Sequence, residues 1–152
     1  MTGSSSCLFL KSDHDDTYLA DKEGTDYRYE KWFKNYSAIE ASGMRCVKIL
    51  DTYELTYSTR PDARVKGINM LRLPELYYII TEYYLSLENQ DEAVKYFDKV
   101  LQSRGLTGYA DRQGATLTLE KVIQERRKEL ICEGQYFFTQ KRYNQSIYEP
   151  KS

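Results

Sequence analysis

Two apolar patterns of helical period, separated by three residues, constrain this chain more than any other feature. In Leu73–Leu87, the residues Leu73, Leu76, Tyr77, Ile80, Tyr83, Tyr84 and Leu87 recur at intervals of three and four, the spacing of one helix face. After Asn89-Gln90-Asp91, with Asp91 as the candidate N-cap, the pattern resumes at Ala93, Tyr96, Phe97, Val100 and Leu101 and stops at Gly105. Helices of this length on so short a connector must pack antiparallel. Pro74 falls in the first turn, where its missing N–H costs nothing.

The helical pattern continues downstream. A loop over 106–116 holds Gly108 and Gly114, and a third helix begins near Thr118 with Leu119, Val122, Ile123, Arg126 and Leu130 on one face. Gly134 breaks it, and a shorter helix covers Gln135–Tyr143. The spacing predicts helices near 69–88, 90–104, 117–133 and 135–143. Residues 1–67 lack this order. Ser4–Ser6 and Asp13-His14-Asp15-Asp16 read as loop, the acidic run as a solvated one. Arg28–Tyr36 reads as a short amphipathic or loop segment. Tyr53, Leu55 and Tyr57 alternate with polar residues, which suggests a strand or hairpin arm, and strand is expected only over about 44–58. The expected fold is all-α: a helical hairpin plus further helices over 68–152, after a largely irregular 1–67 with at most a short β-hairpin.

Chemistry is narrow. The 152 residues carry 22 Lys plus Arg against 23 Asp plus Glu, and a near-neutral chain lacks the basic excess that grips nucleic acid. Cys7, Cys46 and Cys132 lie far apart without a CxxC, so neither a zinc site nor a disulfide framework is expected. His14 is the single histidine, the one possible imidazole base for a nucleophile. Glu125, Glu129 and Glu133, four apart beside Arg126, Arg127 and Lys128, read as salt-bridge scaffolding; a glycosidase needs carboxylates in different environments across a sugar. No catalytic residue, metal site or cofactor is expected. No apolar run reaches the ~18 residues of a spanning helix. The N-terminus lacks the charged and apolar regions of a secretory signal, and nothing ahead of Cys7 would direct it to a lipid. The expectation is a chain that starts late, is a fragment, or acts in the cytosol.

Aromatic content is heavy, with 15 Tyr, 5 Phe and 1 Trp. Tyr29, Trp32 and Tyr36 lie at spacings of three and four, a face that either stacks on sugar rings or packs onto the helices. Tyr77, Tyr83, Tyr84 and Tyr96 read as repeat-packing residues, with Tyr78 set apart on another face. With Ala93 as the small residue of its second helix, the hairpin fits the tetratricopeptide pattern. Tyr77, Ile80, Thr81 and Tyr84 then take the first-helix places, Phe97 and Val100 the later ones, and Gly105 replaces the closing Pro. One repeat is present where about three are needed for independent stability.

Three segments in order resemble the SusD/RagB family. Arg72-Leu73-Pro74-Glu75-Leu76-Tyr77-Tyr78-Ile79-Ile80-Thr81-Glu82 is similar to its signature helix. Glu125-Arg126-Arg127-Lys128-Glu129-Leu130-Ile131-Cys132-Glu133-Gly134 is similar to its ERRxELxxEG run, and Gln135-Tyr136-Phe137-Phe138 with Lys141-Arg142 to its closing segment. Tyr136 and Thr139 stand where the family commonly has Arg and Asp, as if an i,i+3 ion pair were lost as a unit. Family members are several times longer, and the match covers their C-terminal part. The resemblance implies a lipid-anchored, cell-surface protein of the outer membrane that binds glycans or similar nutrients without enzymatic activity. Its implied partner is a SusC-type TonB-dependent transporter. The alternative is a stand-alone tetratricopeptide-like adaptor that binds protein segments.

Two structural expectations follow. Arg72, Glu75, Glu82, Arg126 and Glu129, on the two signature helices, should form a partly buried ion-pair network. The apolar face of Leu73–Leu87 carries more surface than its partner helices can cover, so an apolar patch of more than a few hundred Å² should stay exposed. The isolated chain should therefore be marginally stable, self-associate, and bind no glycan tightly.

Overall fold

The computed structural model describes residues 26–37, 42–48 and 71–145, and the chain falls into two compact units, Met1–Ile68 and Asn69–Ser152. The described residues are mostly helical, with one small antiparallel sheet.

In the first unit, helix α1 (Tyr27–Trp32) runs directly into strand β1 (Phe33–Ser37), which pairs with β2 (Ser42–Cys46). The register runs from Phe33 opposite Cys46 to Ser37 opposite Ser42. Asp26 caps α1 by accepting from the Arg28 N–H at 3.0 Å. Its carboxylate also holds the Arg28 guanidinium at 2.7 Å, with both side chains buried. The sequence reading of 28–36 as one short amphipathic or loop segment is corrected here, as is the confinement of strand to about 44–58. The reason is a long-range bond: the Trp32 carbonyl accepts from the Val47 N–H at 2.7 Å. In a continuing helix that carbonyl would serve Tyr36. Phe33 and Val47 are both buried. The strand read at Tyr53–Tyr57 and the loop residues around His14 lie outside the described residues.

The second unit holds the hairpin. Helix α2 spans Leu73–Ser86 and α3 spans Gln90–Ser103. The N-cap of α3 is Asn89, whose side chain accepts from Glu92 N–H at 3.2 Å; the expected cap, Asp91, sits in the first turn instead. Glu88 takes φ 56° in the turn, which places Asn89 at the helix start. At the far end, Gly105 adopts φ 81°. Its N–H reaches Gln102 O at 3.1 Å and the Leu106 N–H reaches Leu101 O at 3.1 Å. This double closure needs the left-handed residue that glycine supplies without strain, and it turns Leu106 into the core.

The core is Tyr78, Ala93, Phe97, Val100, Leu101, Leu106, Leu117 and Val122. Tyr78 is thus central, not set apart: it is fully buried, with its ring 6.2 Å from Phe97. The face expected to be buried is turned partly outward, with Leu73, Leu76, Tyr83 and Leu87 exposed by 59%, 49%, 59% and 57%. Helix α2 is apolar around most of its girth, so periodicity alone allowed two registers. The small side chains of Thr81 and Ala93, both fully buried, are where α2 and α3 approach, and Thr81 satisfies its hydroxyl on Tyr77 O at 2.8 Å.

Helix α4 (Leu119–Glu129) is capped by Thr118, which accepts from Lys121 N–H at 3.3 Å. It ends four residues before the expected 133. Cys132 takes φ 64° and Gly134 φ 70°, and the Glu129 carbonyl accepts from Arg72 Nη1 at 3.0 Å. A carbonyl of the last turn is thereby satisfied from the start of α2. Helix α5 covers Gln135–Arg142. Among the described residues no helix is long and apolar enough to cross a membrane.

Candidate functional site

The densest chemistry in the second unit is a charged seam between α2 and α4. Arg126 projects from α4 and bonds Glu75 at 2.8 Å and Glu82 at 3.3 Å, one and three turns along α2. Glu82 also accepts from Arg142 at the end of α5, at 2.6 Å. At the other end, Glu129 accepts from Arg72 at 2.6 Å and from Arg104 at 2.8 and 2.9 Å. Arg72 donates further to Glu133 at 2.7 Å. Arg72, Glu75, Glu82, Arg126 and Glu129 thus form two neighbouring clusters, tying the start of α2, the end of α3, α4 and α5 together.

Arg104 and Arg142 enter this seam without having been singled out for it in the sequence. Their signal was weak: Arg104 sits just ahead of Gly105, where a basic side chain also suits a helix C-terminus. Glu125, Glu129 and Glu133, read as salt-bridge scaffolding, are each ion-paired. Glu125 and Glu129 are fully buried, Glu125 bonds Lys128 at 2.7 Å, and Glu133 lies past the end of the helix.

Tyr136 and Thr139 are accommodated locally. The Arg127 guanidinium lies 4.4 Å from the Tyr136 ring centre, and the buried Thr139 donates to Gln135 O at 3.1 Å. Cation–π contact and a backbone bond thus occupy the two positions. Near the seam, Tyr143 has its hydroxyl pKa pushed up to about 12, first by burial and then by the Glu82 carboxylate.

Aromatic side chains form a second surface. The rings of Tyr84 and Tyr96 stack nearly parallel at 5.8 Å. Tyr77 lies 6.3 Å from Tyr96, and Tyr83 meets Tyr84 edge-on at 5.4 Å. Lys99 Nζ lies 5.2 Å from the Tyr96 ring centre and 5.4 Å from that of Tyr77.

The three residues of the first unit read as a stacking face fall on two consecutive elements. Tyr29 and Trp32 lie on α1, with the Tyr29 ring 5.9 Å from Phe33, whereas Tyr36 lies on β1 opposite Gly43. Lys48 Nζ covers one face of the half-buried Trp32 ring at 4.2 Å. Among the described residues, no three His, Cys, Asp or Glu side chains converge on a metal position.

Comparison with known proteins places this architecture. A crystal structure of a "putative sugar binding protein" from Bacteroides vulgatus ATCC 8482 superposes with a TM-score of 0.62 at 21% identity. The match covers 96% of this chain and 29% of that one, so this chain spans under a third of its neighbour's length. Among curated proteins, none matches the chain in sequence. The SusD family profile matches residues 21–150, nearly the whole sequence and all three segments of the resemblance. The chain belongs to the SusD family.

Proposed function

We propose that this chain is the C-terminal part of a nutrient-binding protein that captures glycans at the cell surface. It acts as the partner of a SusC-type TonB-dependent transporter in the outer membrane. The observation that carries this reading is the family match over residues 21–150. The structural neighbour, described as sugar binding, supports it. The reading is non-enzymatic: the charged groups of the seam between α2 and α4 are engaged with one another, as a scaffold needs. In the first unit, Trp32, Tyr29 and Tyr36 are the proposed sugar-stacking residues, Trp32 using the ring face away from Lys48. The hairpin's exposed apolar stripe favours the second reading, an adaptor that binds protein segments.

The test uses the longest natural product that contains this chain, screened on a glycan array and then by calorimetry, with purification from the outer membrane. Glycan binding that weakens on Trp32→Ala, and recovery together with a TonB-dependent transporter, are expected. A silent array with recovery of soluble protein partners would overturn the reading in favour of the adaptor.

A further inference from the structure

The apolar residues on the outer side of α2 follow a strict pattern. Leu73, Leu76, Ile80, Tyr83 and Leu87 step by three, four, three and four. That is the a/d spacing of a coiled-coil contact, narrower than the face a helix turns to a globular core. Leu73, Leu76, Tyr83 and Leu87 are exposed, Ile80 is half-buried among them, and Ile79 lies exposed alongside. The stripe runs the length of the helix, from its first residue to its C-cap, Leu87. On the opposite side of α2, Tyr78 and Thr81 are fully buried. The helix therefore has one packed face and one open stripe cut to fit a single further helix.

Charge selects the occupant. Helix α2 carries two charged side chains, Glu75 and Glu82, and both bond Arg126 of α4. None of the stripe residues is charged. A charged peptide would find no counter-ion on the stripe, and an anionic bilayer would find no basic flank. A second copy of the stripe brings neither like-charge repulsion nor an ion to be buried unpaired. Its area also suffices. With about half of each large side chain open, the stripe offers on the order of 500 Å² per copy, and two copies reach about the 1,000 Å² that a specific interface must clear.

We propose that α2 is a dimerisation helix, paired antiparallel through this stripe with α2 of a second copy about a two-fold axis. Two-fold pairing uses the same patch on both copies and closes at two. The antiparallel register sets Leu76 against the partner's Leu87 and Ile80 against the partner's Tyr83, and the axis repeats both layers. Each Tyr then faces a smaller side chain, which lets the layers interdigitate. Parallel pairing would set Tyr83 against the partner's Tyr83 and align the two helix dipoles, whereas the antiparallel arrangement opposes them. Association is thereby confined to one helix, one orientation and two copies, independently of what the protein binds.

The test is analytical ultracentrifugation of the 152-residue chain, joined to thiol cross-linking. A monomer–dimer equilibrium with no larger species is expected. Leu87→Glu should raise the dimer dissociation constant by about tenfold or more. Phe138→Glu, at a similarly exposed apolar residue of α5 away from the stripe, should leave it unchanged. Both variants should keep the parent far-UV spectrum. For orientation, chains carrying Leu76→Cys and chains carrying Leu87→Cys are mixed and treated with a short bismaleimide, and linked peptides are identified by mass spectrometry. A link from position 76 of one chain to position 87 of the other is expected. Position 76 should not link to itself when Leu76→Cys is treated alone, because antiparallel copies hold those two sites about three turns of helix apart, roughly 16 Å. A monomer at all concentrations, open-ended aggregation, or an equal response to Leu87→Glu and Phe138→Glu would overturn the dimer. Self-linking at position 76 would overturn the antiparallel pairing.

Discussion

Arg126 Nη2 lies 2.8 Å from Glu75 Oε1, across 51 residues of sequence, and fixes α4 against the first turn of α2. The same guanidinium reaches Glu82 at 3.3 Å. Breaking a buried pair leaves an uncompensated charge and costs about 3 kcal/mol or more, whereas an exposed pair costs under about 1. Arg126 is 8% exposed, so Arg126→Ala is expected to destabilise by about 3 kcal/mol in urea titration. Arg72→Ala should cost less, about 1–2 kcal/mol, because Arg104 still serves Glu129. Near-neutral results for both would sink the network as a source of stability.

Asp98, buried on α3, accepts from the backbone N–H groups of Tyr109 and Ala110 at 2.6 and 3.0 Å, a latch with a local signature as well as a global one. Asp98→Ala strands the N–H groups of Tyr109 and Ala110, and bonds to a charged acceptor are worth about 2–3 kcal/mol. The amides of residues 109 and 110 should lose hydrogen-exchange protection first. Gly108→Ala should open the same loop at about 1–3 kcal/mol, by overpacking against Asp98. Unchanged exchange at 109 and 110 in both variants would show that the loop is held some other way.

Tyr143 makes stability depend on alkaline pH. Its folded pKa, about 12, lies above the ordinary value of 10.0. Its contribution is therefore fully present below pH 10 and is lost as pH rises toward 12. The group is only partly buried, so solvent screening holds the effect to about 1 kcal/mol or less. Tyr143→Phe should flatten this part of the stability profile relative to the parent. Parallel profiles from pH 9 to 12 would contradict the assignment.

The outward stripe of α2 predicts association. Leu73, Leu76, Ile79, Tyr83 and Leu87 are all exposed by more than 40%, and contiguous apolar surface of this kind drives contact. The 152-residue chain is expected to self-associate in light scattering. Leu76→Glu with Tyr83→Glu should shift it toward monomer without loss of helix. A monodisperse parent with a high, cooperative melting transition would remove both this expectation and marginal stability.

Much of the second unit was legible because its determinants are local. The period of three and four set the existence of α2 to α5, Gly105 marked the end of α3 through a left-handed φ, and Thr118 marked the start of α4 through a side-chain cap. Ala93, Thr81 and Phe97 took their hairpin places because small residues and one large ring must meet where two helices cross. Six of the seam residues, Arg72, Glu75, Glu82, Arg126, Glu129 and Glu133, sit on the first two resembling segments and are brought together by the packing of α2 on α4.

Tertiary structure decided what local signals leave degenerate. An apolar girth gives α2 no unique buried face, so contact with Phe97 and Ala93 chose Tyr78 and turned Tyr83 outward. The carbonyl of Trp32 could serve Tyr36 or Val47, and the partner farther along the chain ended α1 and left Tyr36 on β1. The carbonyl of Glu129 went to Arg72 in the same way. Periodicity records which side chains can share a face; which backbone and charged groups find partners depends on residues dozens of positions away, brought close only when the helices pack.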